Sequence, residues 1–445
     1  MTKIFRSVGI ALVIMVGQVA FADNGNGPVP AATAAPQFNV NPTTLRQRLL
    51  ESNLSIVQEY NQLNISKHKV EFARASLLPG VSLNVQTFSS FGLSEIQYLL
   101  PFLVPTNWFN YSASKHQLDA DKISYYIVEL NVYSSALGVY FNTLADSQAE
   151  PLYERLAQDF QGIANYYKIQ ALKGSGDMKE YLAADGVAKN NIGYALGVQG
   201  AVMAEQETLR SMLNILDANT KIVLDPFILP ASEFENMDHF AADLQANKVA
   251  PEHAQVKALL AEGTANEWGT IFSFITGAQL SGSSSNGGLS NLAGGIGITL
   301  TPNLVPNIKL SKDNITVVRT QDDVLTNGLN QTVNTALDNL TIAKQQQVAA
   351  AQAEADANTV YNIDKLRYLK SQITFTDLKS DANSLTLSTI QRIRADQNLN
   401  LARVTMERTF LIDQFANIQP CKMGNAPKKK SGVHLDDLCK PGPGH

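Results

Sequence analysis

Two carboxylates, Asp377 and Asp381, stand four residues apart just beyond a break between two long helical stretches. Repeated around the axis of an oligomer, such acids would form a charged constriction that favours cations and binds divalent ions. The alternative is plainer: Asp377 is a helix N-terminal acid facing the positive end of the macrodipole. Asp177, at an equivalent break, supports that alternative. The six histidines, at 68, 116, 239, 253, 434 and 445, never fall at metal-ligand spacing. Gly294-Gly295-Ile296-Gly297 is followed by an alternating strand pattern, not by a helix, so it is no dinucleotide fingerprint. No nucleophile, base and oxyanion arrangement is visible. The residues therefore predict no enzyme, no cofactor and no metal centre.

The chain has 445 residues with 44% apolar content, enough for two or three domains or one elongated one. Only 17% are charged, and the formal net charge is −5, which argues against a disordered acidic chain and against a nucleic-acid binder. Lys3 and Arg6, the apolar run from Val8 to Ala20, and Ala20-Phe21-Ala22 form the three parts of an export signal cut after residue 22. That run is too short to span a bilayer. In an oxidising compartment the two cysteines, Cys421 and Cys439, are expected to pair, adding about 3 kcal/mol in the chain-entropy treatment. A free thiol is the alternative. Lys428-Lys429-Lys430 reads as a solvated tail.

The elements that would position these residues follow from period. Residues 23–42 are rich in Pro, Ala, Asn and Gly and read as an exposed linker. Asn41-Pro42 caps a helix running to about Leu77. Pro79-Gly80 stops it, and Val81, Leu83 and Val85 then alternate with polar residues as a strand does. A second alternating stretch places Ile96, Tyr98, Leu100 and Phe102 on one side. From about Thr106 to Gln170 a seam of Ile123, Ile127, Leu130, Leu137, Phe141 and Leu144 predicts one long helix, with Pro151 a kink or a boundary. At about 1.5 Å per residue it would reach on the order of 100 Å. A partner helix is expected from Asp177 to about Leu216, and a connector over 217–250. The pattern then returns: a helix from Pro251, a strand with Phe272, Phe274, Thr276, Ala278 and Leu280 on one face, a Gly/Ser/Asn loop over 281–295, a strand through Ile296 and Ile298, and two more long helices. Trp108, Phe109 and Tyr111 follow the first hairpin as interfacial anchors or junction packing.

Landmarks repeat. Pro101-Phe102-Leu103-Val104-Pro105 recurs as Pro302-Asn303-Leu304-Val305-Pro306, and Asp177-Met178-Lys179 as Asp377-Leu378-Lys379, which predicts a tandem duplication. The organisation is thus a signal over 1–22, a linker over 23–42, a first repeat over 43–216, a connector over 217–250, a second repeat over 251–416 and a tail over 417–445. Each half has one strand hairpin. Four strands cannot close a membrane barrel, and open edges are costly in lipid, so other copies must complete the sheet.

The helix-to-strand junction Ala73-Arg74-Ala75-Ser76-Leu77-Leu78-Pro79-Gly80-Val81-Ser82-Leu83, and Pro251-Glu252-His253-Ala254-Gln255-Val256 at the start of the second repeat, resemble the TolC-like outer membrane efflux protein family over about residues 43–416. The resemblance implies a mainly α fold with a small β part. A homotrimer would form a 12-stranded outer membrane β-barrel continued by a periplasmic α-helical barrel. It implies a passive exit duct in the outer membrane of a Gram-negative bacterium, for efflux or type I secretion, energised by an inner membrane transporter through a periplasmic adaptor. Its tips, at Gly174, Ser175 and Gly176 and at Gln372, Ile373 and Thr374, would meet that adaptor. Asp377 matches the first position of an aspartate ring that some relatives carry; Ser380 takes the second, with Asp381 one residue further on. The competing expectation from the helical periodicity is a coiled-coil scaffold without a pore.

Overall fold

The computed structural model describes residues 36–84, 95–174, 178–217, 219–283 and 291–418. The segment expected to be an export signal, together with Ser175, Gly176, Asp177, Cys421 and Cys439, lies outside the described residues. In chain order the elements are β1 (Gln37–Val40), α1 (Pro42–Ser52), α2 (Leu54–Ala75), β2 (Gly80–Asn84), β3 (Glu95–Leu99), α3 (Pro105–Leu172), α4 (Met178–Met212), β4 (Lys221–Leu224), α5 (His239–Val249), α6 (Pro251–Ile271), β5 (Ile275–Ser283), β6 (Asn291–Ile298), α7 (Leu304–Leu369) and α8 (Phe375–Phe410).

The two long helices set the scale. With 68 and 66 residues, α3 and α7 each extend about 100 Å. Helices of that length survive in water only if packed along their faces. Each is covered in two stages. Along α3, α2 packs on the first part and α4 on the second. The two meet end to end, where Asn53 Nδ2 donates to the carbonyl of Met212 at 2.7 Å and Ser52 Oγ to that of Leu213 at 2.9 Å. Along α7, α6 and α8 do the same, and Arg408 of α8 reaches Glu252 in the first turn of α6 at 2.9 Å. One chain therefore supplies four rods.

Among the described residues apolar packing concentrates in three large cores, one of which joins Phe234, Ala242, Leu337, Leu340, Met406 and Phe410 of the connector, α5, α7 and α8. At mid-height, Leu130, Tyr133, Leu137, Tyr140 and Phe141 of α3 bury against Leu45, Leu49, Ile222 and Phe415. Further along, Leu156, Phe160, Ala184, Ala188, Tyr361 and Leu378 form a second core close to the helix turns. Alanines at the α4 positions let the backbones approach closely.

Several boundaries differ from the sequence reading, each for a local reason. The helix expected over 43–77 is two helices, because the Asn53 side chain accepts from the amides of Ser55 (3.0 Å) and Ile56 (3.3 Å) and starts a new one. Four residues assigned to the exposed linker, Gln37–Val40, are β1, which pairs in parallel with β4 of the connector and buries Val40 completely. The strand expected through Phe102 ends at Leu99, and Pro101 opens a short 3₁₀ turn. Phe272 and Phe274 precede β5 instead of lying in it; Phe272 stacks on Phe109 at 5.7 Å, which holds it at the helix end. The hairpin of the second repeat extends through residues assigned to a loop, to Ser283 and from Asn291. Pro151 lies inside an unbroken α3 at an exposed position, where its missing N–H costs the helix one hydrogen bond. The last helix stops at Phe410, with Leu411 left-handed at φ 53°.

Candidate functional site: the open sheet, the two-faced wall and the tips

Four strands form one antiparallel sheet in the order β2-β3-β5-β6. The two hairpins join through β3 and β5, with Ile96 opposite Gly282 and Leu99 opposite Gln279. Among the described residues the outer edges of β2 and β6 have no partner strand. Around the sheet's base, Phe102, Leu103, Trp108, Trp268, Ile296, Ile298 and Leu300 are exposed, Ile296 to 69%. Among the described residues, no helix is long and apolar enough to cross a membrane.

Immediately beyond the sheet the helices follow the strand order: α2 against α3, α3 against α6, α6 against α7. The α3–α6 seam has two unlike faces. One is a groove of about 460 Å³ lined by Phe109, Ser112, His116, Lys257, Leu260 and Trp268 among others. The other, about 400 Å³, is lined with α2 by Ser66, Lys69, Asn110, Gln117, Glu262 and Asn266. Helical geometry separates them, since residues two apart, such as 262 and 264, point about 200° apart. The polar face is knitted by hydrogen bonds: Ser66 Oγ and Gln117 Nε2 (2.7 Å) both donate to the Asp121 carboxylate.

At the first tip, α3 ends at Leu172 and Gly174 takes φ +77°, a conformation suited to glycine. At the second, Ser371 has φ 57°, and Thr374 caps α8. Thr374 and Asp377 form a reciprocal capping box. Thr374 Oγ1 accepts from the Asp377 amide at 3.2 Å, and the Asp377 carboxylate accepts from the Thr374 amide at 3.0 Å and its hydroxyl at 2.7 Å. The hydroxyl, then the amide, hold the exposed Asp377 carboxyl below its ordinary range. Asp381 lies one turn on. Burial, then a hydrogen bond shared with Asp364 of α7, pushes its carboxyl up. Gly174, Gln372 and Thr374 are exposed, whereas Ile373 packs onto the core around Tyr368 and Leu378. Ile373 is thus turned inward, away from the outer surface of the tip, because an apolar side chain next to that core gains more by covering it.

The sequence reading missed a connection between the two helical hairpins. Asp159 of α3 accepts from Tyr361 Oη at 3.1 Å and from Lys365 Nζ at 2.5 Å, both on α7. Arg155 also donates to Asn358 Oδ1 at 3.1 Å. The separation of Asp159 and Tyr361, 202 residues, nearly equals the offset of the repeated landmarks. Equivalent heights on the two repeats touch there, a signal the repeat offset carried. At mid-height two acids are buried. Glu129 rises to about 7 through burial, opposed by a hydrogen bond from Tyr125. Glu407, 1% exposed, rises to about 8 through burial, with Asp413 adding to it.

Solved structures share this architecture. The chain superposes on the Campylobacter jejuni CmeC outer membrane channel with a TM-score of 0.69, at 13% identity, covering 90% of this chain and 97% of that one. The chain has the TolC-like outer membrane channel fold. The outer membrane protein VceC of Vibrio cholerae matches with a TM-score of 0.67 at 12% identity, over 83% of this chain and 95% of its own. The open state of the Neisseria gonorrhoeae MtrE outer membrane channel matches with a TM-score of 0.60 at 16% identity, over 83% and 88%. By sequence, no protein-family profile and no curated protein matches the chain. The TolC-like fold is therefore carried here by the pattern of elements, with few shared residues.

Proposed function

We propose that the chain is one third of an outer membrane channel-tunnel, a passive exit duct in a Gram-negative envelope. The observation that supports this most directly is the four-stranded sheet whose two outer edges have no partner strand among the described residues. An open edge in lipid leaves backbone groups without hydrogen bonds, so the sheet is completed by copies of itself. Three copies make twelve strands, and their four rods each make a twelve-rod tunnel. The amide-lined α3–α6 face then turns to the lumen and the aromatic face outward. A lumen of amides and hydroxyls, with scattered charges such as Lys69 and Glu262, holds no solute strongly, which suits a conduit and not an enzyme.

In this reading the energy comes from an inner membrane transporter, reached through a periplasmic adaptor at the exposed tip residues Gly174, Gln372 and Thr374. The exposed Asp377 carboxylates, three around one axis, favour cations at the entrance. Opening separates α7 from α3 at Asp159.

The test is reconstitution of the purified full chain into planar bilayers, with crosslinking to count subunits. Cation-selective conductance from a crosslinked trimer is expected. A monomer that stays in buffer without detergent and gives no conductance would overturn the proposal in favour of a scaffold.

A further inference from the structure

The aromatic groove between α3 and α6 is graded along its length. Phe109 and Trp268 lie at the end next to the sheet, stacked at 6.4 Å, with Trp268 46% exposed. His116 and Lys257 lie at the far end. At about 1.5 Å per residue, His116 is roughly 10 Å from Phe109 along α3, and Lys257 roughly 16 Å from Trp268 along α6. Ser112 and Leu260 line the middle.

Lys257 is exposed and has no ion pair among the described residues. Glu262, whose charge interacts with that of His116, lines the opposite face of the seam, and Asp119, one turn from His116 on α3, is paired with Lys122. The groove therefore offers one unpaired cation and one imidazole beyond an aromatic end that adjoins the sheet.

We propose that this groove seats a phospholipid of the periplasmic leaflet, its anionic headgroup on Lys257 and His116 and its glycerol and upper acyl chain against Trp268 and Phe109. The order of chemistry along the groove is that of the lipid: apolar next to the hydrocarbon core, then aromatic, then charge. Aromatic rings favour the interface for the same reason. A lysine stem can lie along the apolar floor and bring its ammonium back toward the leaflet. An unpaired cation there should favour an anionic over a zwitterionic headgroup by about fivefold. This rests on the reading of the chain as a membrane duct, which puts the sheet in lipid and this face outward.

The chain has two tryptophans, so Trp108→Phe leaves Trp268 as the sole tryptophan, excited at the long-wavelength edge where tyrosine does not absorb. The full-length variant would be reconstituted into vesicles containing either brominated phosphatidylglycerol or brominated phosphatidylcholine, with conductance confirming insertion. Quenching of Trp268 at about fivefold lower mole fraction of the glycerol lipid is expected. Adding Lys257→Gln should remove that preference while both lipids still quench. Equal quenching by the two lipids before that change would overturn the headgroup site and leave the membrane reading standing. Absence of quenching by either lipid in a conducting sample would mean that another copy or the lumen covers this face, and also overturns it. Failure to enter vesicles at all would overturn both readings.

Discussion

Asp159 and Lys365 are 206 residues apart in the chain, and their side chains meet at 2.5 Å. Through that contact, with Tyr361 beside it, α3 of the first helical hairpin is tied to α7 of the second near the tip. Both ionic partners are partly solvated, so the pair is worth about 0.2–1 kcal/mol, enough to bias the opening equilibrium of the proposed duct without locking it. Asp159→Asn should therefore raise the conducting population up to about fivefold. Single-channel recording measures this. Lys365→Met should act in the same direction, and the double variant should gain less than the product of the two singles, since one contact is removed twice.

The capping box at the second tip predicts a local effect. Thr374→Ala removes the single hydroxyl that both accepts from the Asp377 amide and donates to its carboxylate. Caps of this kind contribute about 1 kcal/mol. Amide hydrogen exchange over the first turn of α8 should quicken about fivefold, with the mid-height core unchanged.

Buried acids make stability depend on pH. Glu129 and Glu407 are held protonated to about 7 and about 8, above the ordinary 4.5. The folded state thus binds more protons than the unfolded one, and stability falls as pH rises. The loss runs from about pH 4.5 to about pH 8. Thermal unfolding should show a midpoint that drops between pH 5 and pH 8, and Glu407→Gln should flatten the drop.

Pro151 predicts a gain. It interrupts the hydrogen bonding of a helix that continues through it, at an exposed position. Pro151→Ala restores an N–H donor and should raise the unfolding midpoint, because proline in a helix interior costs about 3 kcal/mol relative to alanine. A lower midpoint would mean that the fixed backbone angle of proline is itself required at this point of α3.

The tip-proximal core predicts a loss. Phe160 is fully buried and meets Phe375 edge-on at 6.0 Å. Phe160→Ala should destabilise by about 3–5 kcal/mol, read by denaturant unfolding, through the cavity it leaves.

The periodic segments were legible from residue types because each has one dominant partner. Leu45, Leu49, Leu130 and Phe141 are buried where a helical seam requires, and Gly80 opens a strand after its Pro-Gly stop. β1 was not legible: four residues beside a Pro/Ala-rich stretch carry too little pattern, and their partner strand is 184 positions away. Phe272 and Phe274 misled because alternation alone does not distinguish a strand residue from one held in a turn by stacking on Phe109. The Asp159 contact has no local signature, since an acid on a polar helix looks solvated until the second repeat is laid beside the first. The capping of Asp377, by contrast, is local chemistry, readable from its place after Thr374.

The parallel pairing of β1 with β4 fastens the start of the first repeat to the segment that follows its end. The helical hairpin of α3 and α4 consequently hangs from a clamped base. Below the junction with α2 it is a lever of about 35 residues, roughly 50 Å. A swing of about 5° at the base carries the tip roughly 4 Å sideways, by that same length. Asp159 lies about 20 Å short of the tip along α3, so its contact with Lys365 would shift by roughly 3 Å and part, while the clamp would absorb only a small angular change.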